Sequence, residues 1–146
     1  LLTGSGVQYP LRFKTLAGRG GTISNIYYDN ITIGNWTTGG IIIDMSYPSS
    51  TLPPADMTLL PTVTNVNFSK ISGPNNVAGV GMCAATATSC PPVTFRGIKQ
   101  SPLQKITLTD VSLGGSASQC LSGPNAVTLT NVNIPGLPMN GTWDCP

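Results

Sequence analysis

The sequence predicts an all-β solenoid, a chain wound coil upon coil around one shared core. Three observations carry this expectation. The first is a short apolar pattern that occurs four times: Ile26, Tyr28, Ile31, Ile33; Val66, Phe68, Ile71; Ile106, Leu108, Val111, Leu113; and Val127, Leu129, Val132, Ile134. The offsets are 0, 2, 5 and 7, and only the second copy lacks its last member, where Gly73 stands. The second is the spacing, with copies beginning 40, 40 and 21 residues apart. The third is composition: 17 Gly and 13 Pro punctuate segments rich in Thr, Val and Ile, which disfavours helix throughout. A two-residue step keeps side chains on one side of a strand. A three-residue step flips that parity, so the chain must turn a corner to keep both pairs inside. Strand, corner, strand at a recurring interval describes stacked coils rather than a sandwich.

The elements follow in order. Residues 1–10 are expected to end one coil. Residues 11–14 form a short strand, with Leu11 and Phe13 on one face and Arg12 and Lys14 on the other. Ala17-Gly18-Arg19-Gly20-Gly21 is a tight turn. Residues 22–33 hold the first repeat. Gly39-Gly40 leads into a strand over 41–44 that belongs to the next coil. Residues 45–61, with Pro48, Pro53, Pro54 and Pro61, form a long loop of the kind that is usually functional or disordered. The second repeat precedes a strand over 77–82. A cysteine loop and a connection containing Pro91, Pro92 and Pro102 lead to the third repeat, and the fourth repeat and a tail finish the chain. The corner positions carry Asn30, Lys70, Asp110 and Asn131, and Asn25 and Asn65 are equivalent to each other. Asn and Asp tolerate the left-handed backbone that corners need, so these residues are read as turns and stacked ladders. Residues 1–146 make one domain.

Bulk chemistry narrows the function. Only 8% of residues are charged, there is no His, and the net charge of +2 is too small for a nucleic-acid protein. Glu is absent as well. No apolar run approaches a membrane span; the longest strand-like run is Ile41-Ile42-Ile43. Without His or Cys-x-x-Cys, no metal site is expected, and nothing calls for a cofactor. Thr, Ser and Asn build the polar surface, which leans towards a secreted protein. Four glycosylation sequons, at Asn30, Asn35, Asn67 and Asn140, support secretion, although some arise by chance in such a composition. Four cysteines allow three pairings. The favoured one joins Cys83 to Cys90 and Cys120 to Cys145, tying the loose end onto the coil below, and each bridge would contribute about 2–4 kcal/mol. Free buried thiols are the alternative.

Arg12 and Lys14 leave one face of one strand, and with only seven Lys and Arg in the chain two adjacent cations need a reason. A guanidinium fork beside a point-charge ammonium suits a ligand carboxylate. A solvated pair flanking Asp44 on the next coil is equally compatible with the spacing. The phrases Leu11-Arg12-Phe13-Lys14-Thr15, then residues 18–28, then Asp29-Asn30-Ile31-Thr32-Ile33, and then Ile41 to Tyr47 resemble the polygalacturonases of glycoside hydrolase family 28. That family has an Arg-Ile-Lys signature, a Gly-rich turn, an Asn-Ile-x-(aromatic)-x-Asn-Ile phrase and a strand leading to a Tyr. The resemblance covers residues 7 to 145 and implies a right-handed parallel β-helix. It implies inverting hydrolysis of α-1,4 links in the galacturonan of pectin. It also implies that Arg12 and Lys14 hold a uronate carboxylate and that Tyr47 lines a subsite. Phe13 replaces the usual Ile or Leu and should point inward.

The catalytic aspartates of that family precede the Arg-x-Lys strand, and this chain contains none of the segments that carry them. Inversion requires one carboxylic acid and one carboxylate. Asp29 and Asp110 sit at corners, Asp144 in the tail and Asp56 in the long loop, while Asp44 borders the groove. No pair is placed for the task, so the chain is expected to be the C-terminal coils of the enzyme and inactive alone. The exposed first coil is then expected to be covered by the N-terminal part of the same protein. The alternative is a non-catalytic β-helix that binds carbohydrate or serves as a structural or filament module.

Overall fold

The computed structural model describes residues 7–34, 36–46, 58–73, 91–115, 118–121, 127–134 and 136–144. Among them every regular element is a strand: β1 (Leu11–Lys14), β2 (Thr22–Thr32), β3 (Ile41–Asp44), β4 (Thr62–Ser72), β5 (Val93–Arg96), β6 (Gln104–Ser112), β7 (Gln119–Leu121), β8 (Val127–Thr130) and β9 (Gly141–Trp143). They form two sheets, ordered β1-β3-β5-β7 and β2-β4-β6-β8-β9. From β1 to β8 the chain alternates between the sheets, so each pass lays one strand on each, and β9 returns to the sheet of β8. Successive strands within a sheet are parallel, except that β9 runs antiparallel to β8.

The four apolar copies stack in register. Ile26 pairs with Val66 and Val66 with Ile106, each a step of 40 residues, and Ile106 pairs with Val127, a step of 21. The corners lie where the parity flip demands them. Asn30, Lys70, Asp110 and Asn131 have φ of 56°, 52°, 52° and 51°. A second row of corners, Asn25, Asn65 and Lys105, has φ of 57°, 55° and 51°. The three long strands β2, β4 and β6 are therefore straight pieces joined at left-handed residues. A residue with a Cβ pays roughly 1–2 kcal/mol there, which Asn and Asp partly offset by local hydrogen bonding. The two lysines have no such means.

Side chains between the sheets form one core. Val66, Phe68, Ile71, Ile106, Leu108, Val111, Leu113, Val127, Leu129, Val132 and Ile134 are all buried, together with Ile41, Ile43, Val93 and Phe95 from the facing sheet. Four rings run through it. Tyr28 stacks on Phe68 at 5.1 Å, Phe68 on Phe95 at 6.4 Å across the two sheets, and Phe95 meets Trp143 of β9 at 6.0 Å. Each such contact is worth about 0.5–1.5 kcal/mol beyond its area. The break in the second copy has a steric origin. A Cβ on Gly73 would lie 2.8 Å from Leu113 Cδ2 and 3.4 Å from the Trp36 ring. Leu113 of the next copy and Trp36, 1% exposed, together take the space of the missing side chain. Gly40 accommodates the same ring, and its Cβ would fall 2.6 Å from the carbonyl oxygen of Pro92.

Three elements depart from the sequence expectation. Val93–Arg96 is a strand, although its prolines suggest a connection. Pro91 and Pro92 stand just before the strand, where a missing N–H costs little, and their carbonyls accept from Gly40 N and Ile41 N at 3.4 and 2.8 Å. β7 and β9 are also strands in segments without alternation long enough to announce them. The expected strand over 77–82 lies outside the described residues, as does most of the long loop.

The first layer is less buried than those after it. Phe13, Ile23, Ile26, Tyr28 and Ile31 are half-buried, whereas their register partners Ile43, Val63, Val66, Phe68 and Ile71 are at 0–1% exposure.

Two outcomes follow from this geometry. Lys70→Gly is expected to raise stability by about 0.5–1 kcal/mol in urea unfolding, because glycine adopts φ of 52° without a Cβ penalty. Burial raises the Tyr28 phenol above its usual 10.0. The folded chain thus holds that proton more tightly than the unfolded chain. The contribution is complete below pH 10.0 and is lost as pH rises through the raised value. Tyr28→Phe should remove this part of the alkaline loss, read as the change in unfolding midpoint between neutral pH and pH above 10.0.

Candidate functional site

The candidate site is the outward face of the sheet β1-β3-β5. In β1, Leu11 is buried and Phe13 packs on the core, so Arg12 and Lys14 face away from it. Parallel register extends each cation into a row across the sheet. Arg12 is aligned with Ile42 and then Thr94; Lys14 is aligned with Asp44 and then Arg96. Neighbouring strands lie about 4.8 Å apart, so each row places its side chains at near-fixed intervals.

The Arg12 guanidinium lies over the Tyr9 ring, 4.2 Å from its centroid. Such stacking holds the planar fork in one orientation. Lys14 is exposed. Asp44 is 8% exposed and has two tasks. One oxygen, Oδ1, accepts from Ser46 N at 3.0 Å and from Ser46 Oγ at 3.1 Å, which turns the chain directly after β3. The other, Oδ2, faces Arg96 Nη1 at 3.8 Å. Asp44 therefore adjoins the cations in register, and its described ion pair is with Arg96, two strands from Lys14. Thr94 Oγ1 and Arg96 Nε are buried without a hydrogen-bond partner. Arg96 lies outside the Arg-x-Lys motif. Its signal is present nonetheless: Val93-Thr94-Phe95-Arg96 repeats the apolar-polar-Phe-cation order of Leu11-Arg12-Phe13-Lys14.

The arrangement suits an acidic ligand. Two cations of different geometry sit side by side, a third lies along the same face, and one buried carboxylate fixes the third. Among the described residues no group of three His, Cys, Asp or Glu could hold a metal ion. The described aspartates are dispersed. Asp29 and Asp110 are exposed on the other sheet, where Asp110 accepts from Asn131 Nδ2 at 2.6 Å, and Asp144 is exposed beyond β9.

The remaining predicted positions are scattered. Tyr47, Asn35, Cys83, Cys90 and Cys145 lie outside the described residues. Cys120 is disulfide-bonded. Asn30 is exposed at its corner. Asn67 is half-buried and committed on both sides of its amide, donating to Asn65 Oδ1 at 3.2 Å and accepting from Thr107 Oγ1. Asn140 is exposed, and its Oδ1 accepts from Asn131 N at 2.8 Å.

Comparison with known proteins identifies the family. Residues 2–126 match glycosyl hydrolases family 28, and the chain belongs to that family. It is similar to endopolygalacturonase B of Aspergillus niger, 24% identical over 125 residues, which covers 85% of this chain and 31% of the relative. It is also similar to endopolygalacturonase I of Aspergillus oryzae, 32% identical over 82 residues, covering 51% of this chain and 22% of the relative. The chain thus spans less than a third of the length of the relatives it matches. No solved structure matches it.

Asp44→Ala is expected to destabilise the protein by about 1.5–3 kcal/mol, because a charged acceptor of two hydrogen bonds is removed. Asp44→Asn retains Oδ1 and should cost less than half as much. Urea unfolding of the two variants separates the turn from the charge.

Proposed function

We propose that this family 28 chain is the C-terminal part of a secreted pectin-degrading hydrolase that cleaves α-1,4-galacturonosyl links with inversion. The observation that carries this is the pair Arg12 and Lys14, adjacent on the outward face of β1 in a chain that is similar to endopolygalacturonases. Galacturonan presents a carboxylate on every sugar. The Arg12 fork takes both oxygens of one carboxylate, oriented by Tyr9, and Lys14 adds a point charge beside it. Holding that sugar still aligns the neighbouring glycosidic bond. By the same resemblance Tyr47 is the third substrate-binding residue of this chain. On this basis the two sheets are flanks of a right-handed parallel β-helix.

The acid and base come from elsewhere. Inverting hydrolysis needs two carboxyl groups facing each other across the scissile bond with room for a water. Asp29, Asp110 and Asp144 are remote from the Arg12 face, and Asp44 is engaged with Ser46 and Arg96. Asp56 lies outside the described residues. On this reading upstream coils of the same protein supply the catalytic aspartates, and this chain alone is inactive. The same upstream coils cover the half-buried first layer, next to β1 and β2, the first of the described strands in each sheet. Export fits the disulfide at Cys120 and the sequons at Asn30, Asn35, Asn67 and Asn140, and the pairing Cys83–Cys90 with Cys120–Cys145 completes the tail.

In the complete protein acting on polygalacturonate, Arg12→Ala is expected to lower kcat/KM by roughly 1.5–3 kcal/mol of transition-state stabilisation. Reducing-sugar release measures it. Unchanged kinetics would reduce Arg12 and Lys14 to surface charge and favour a non-catalytic module.

A further inference from the structure

We infer that Arg96 is a second carboxylate-binding position on the same face, which takes a uronate of the polymer other than the one held by Arg12 and Lys14. This rests on the galacturonan assignment above and extends it by one sugar-binding position. Three observations converge on Arg96. The first is register: Lys14, Asp44 and Arg96 occupy one row, so Arg96 stands two strands from Lys14 on the same side of the sheet. At about 4.8 Å per strand the two backbones are roughly 10 Å apart. One carboxylate cannot bridge that distance, but a polyuronate lying across the strands presents another. The second is hydrogen-bonding capacity. The Arg96 contact to Asp44 is 3.8 Å, longer than a hydrogen bond, and none engages its guanidinium among the described residues. Its side chain is 41% exposed, so the outer end is open to an acceptor.

The third observation is how Arg96 is held. Asp44 is buried and anchored by Ser46, so its Oδ2 draws the guanidinium to one place without consuming its donors. A buried acid between two cations also keeps the row from accumulating repulsion that would splay the side chains. The charge pattern of the row is plus, minus, plus. It therefore favours two separated carboxylates over one multiply charged group. Asp44 acts here as a positioning residue, and Arg96 makes the contact.

The test uses the complete protein with oligogalacturonates of short and long length and with a partly methyl-esterified form of the long substrate. Arg96→Gln is expected to raise KM for the long acidic substrate roughly tenfold, as loss of one charged contact does, with kcat little changed. The effect should shrink on the partly esterified substrate, which lacks part of the charge, and vanish on the shortest substrate cleaved. Arg96→Lys should give the same pattern at smaller size. Substrates are compared on one variant, so any loss of folded protein cancels. An equal loss on acidic and esterified substrates, or no loss while Arg12→Ala still impairs cleavage, overturns the inference and leaves Arg96 as the partner of Asp44. If Arg12→Ala is also without effect, the galacturonan assignment falls, and this position with it.

Discussion

Everything in this structure depends on a backbone constraint, the left-handed corner. At seven non-glycine positions among the described residues φ lies between 51° and 57°. Each corner converts an odd step in sequence into a continued inward face. It lets Tyr28 and Ile31, or Leu108 and Val111, point into one core although a straight strand would set them on opposite sides. Because the corners recur in register, they stack, and their side chains form ladders. Asn65 donates to Asn25 at 2.6 Å and Asn131 to Asp110 at 2.6 Å. The strain of each corner is thus offset by the layer above it, so a corner is most stable in company.

The same constraint explains a feature of the sequence that invites another reading. The triplet of corner, inward apolar residue and outward polar residue occurs as Asn30-Ile31-Thr32, Lys70-Ile71-Ser72, Asp110-Val111-Ser112 and Asn131-Val132-Asn133. When Asn takes the corner and Thr the outward place, a glycosylation sequon results from folding requirements alone. Asn67 is a related case: its sequon falls on a strand, and its amide belongs to the polar chain that links Asn25, Asn65 and Thr107. Sequon counting therefore measures the repeat as well as the route of export.

Stacking also builds the site. In a parallel in-register sheet, a residue type placed once is a point, but the rows turn points into lines. Arg12 and Lys14 acquire their neighbours Ile42, Asp44, Thr94 and Arg96 only through β3 and β5, which lie 30 and 82 residues further along the chain. The face is consequently a linear array across strands.

The sequence by itself determined the local terms. The 0-2-5-7 offsets specified which side chains go inward, Asn and Asp marked the corners, and the spacings of 40 and 21 became the register. It also marked Arg12 and Lys14 as facing outward, since alternation over four residues suffices for that. Tertiary structure alone decided what depends on contacts between layers. Gly73 is explained by Leu113 and Trp36, both remote in sequence, which crowd the place of its Cβ. Val93–Arg96 is a strand because Pro91 and Pro92 carbonyls meet β3, a pairing that no local propensity encodes. Asp44 is paired with Arg96 although Lys14 adjoins it on the other side, because charge selection occurs across a sheet whose order the chain reveals only when wound. Local periodicity sets the direction of a side chain, whereas its partners are chosen by the stacking of distant segments.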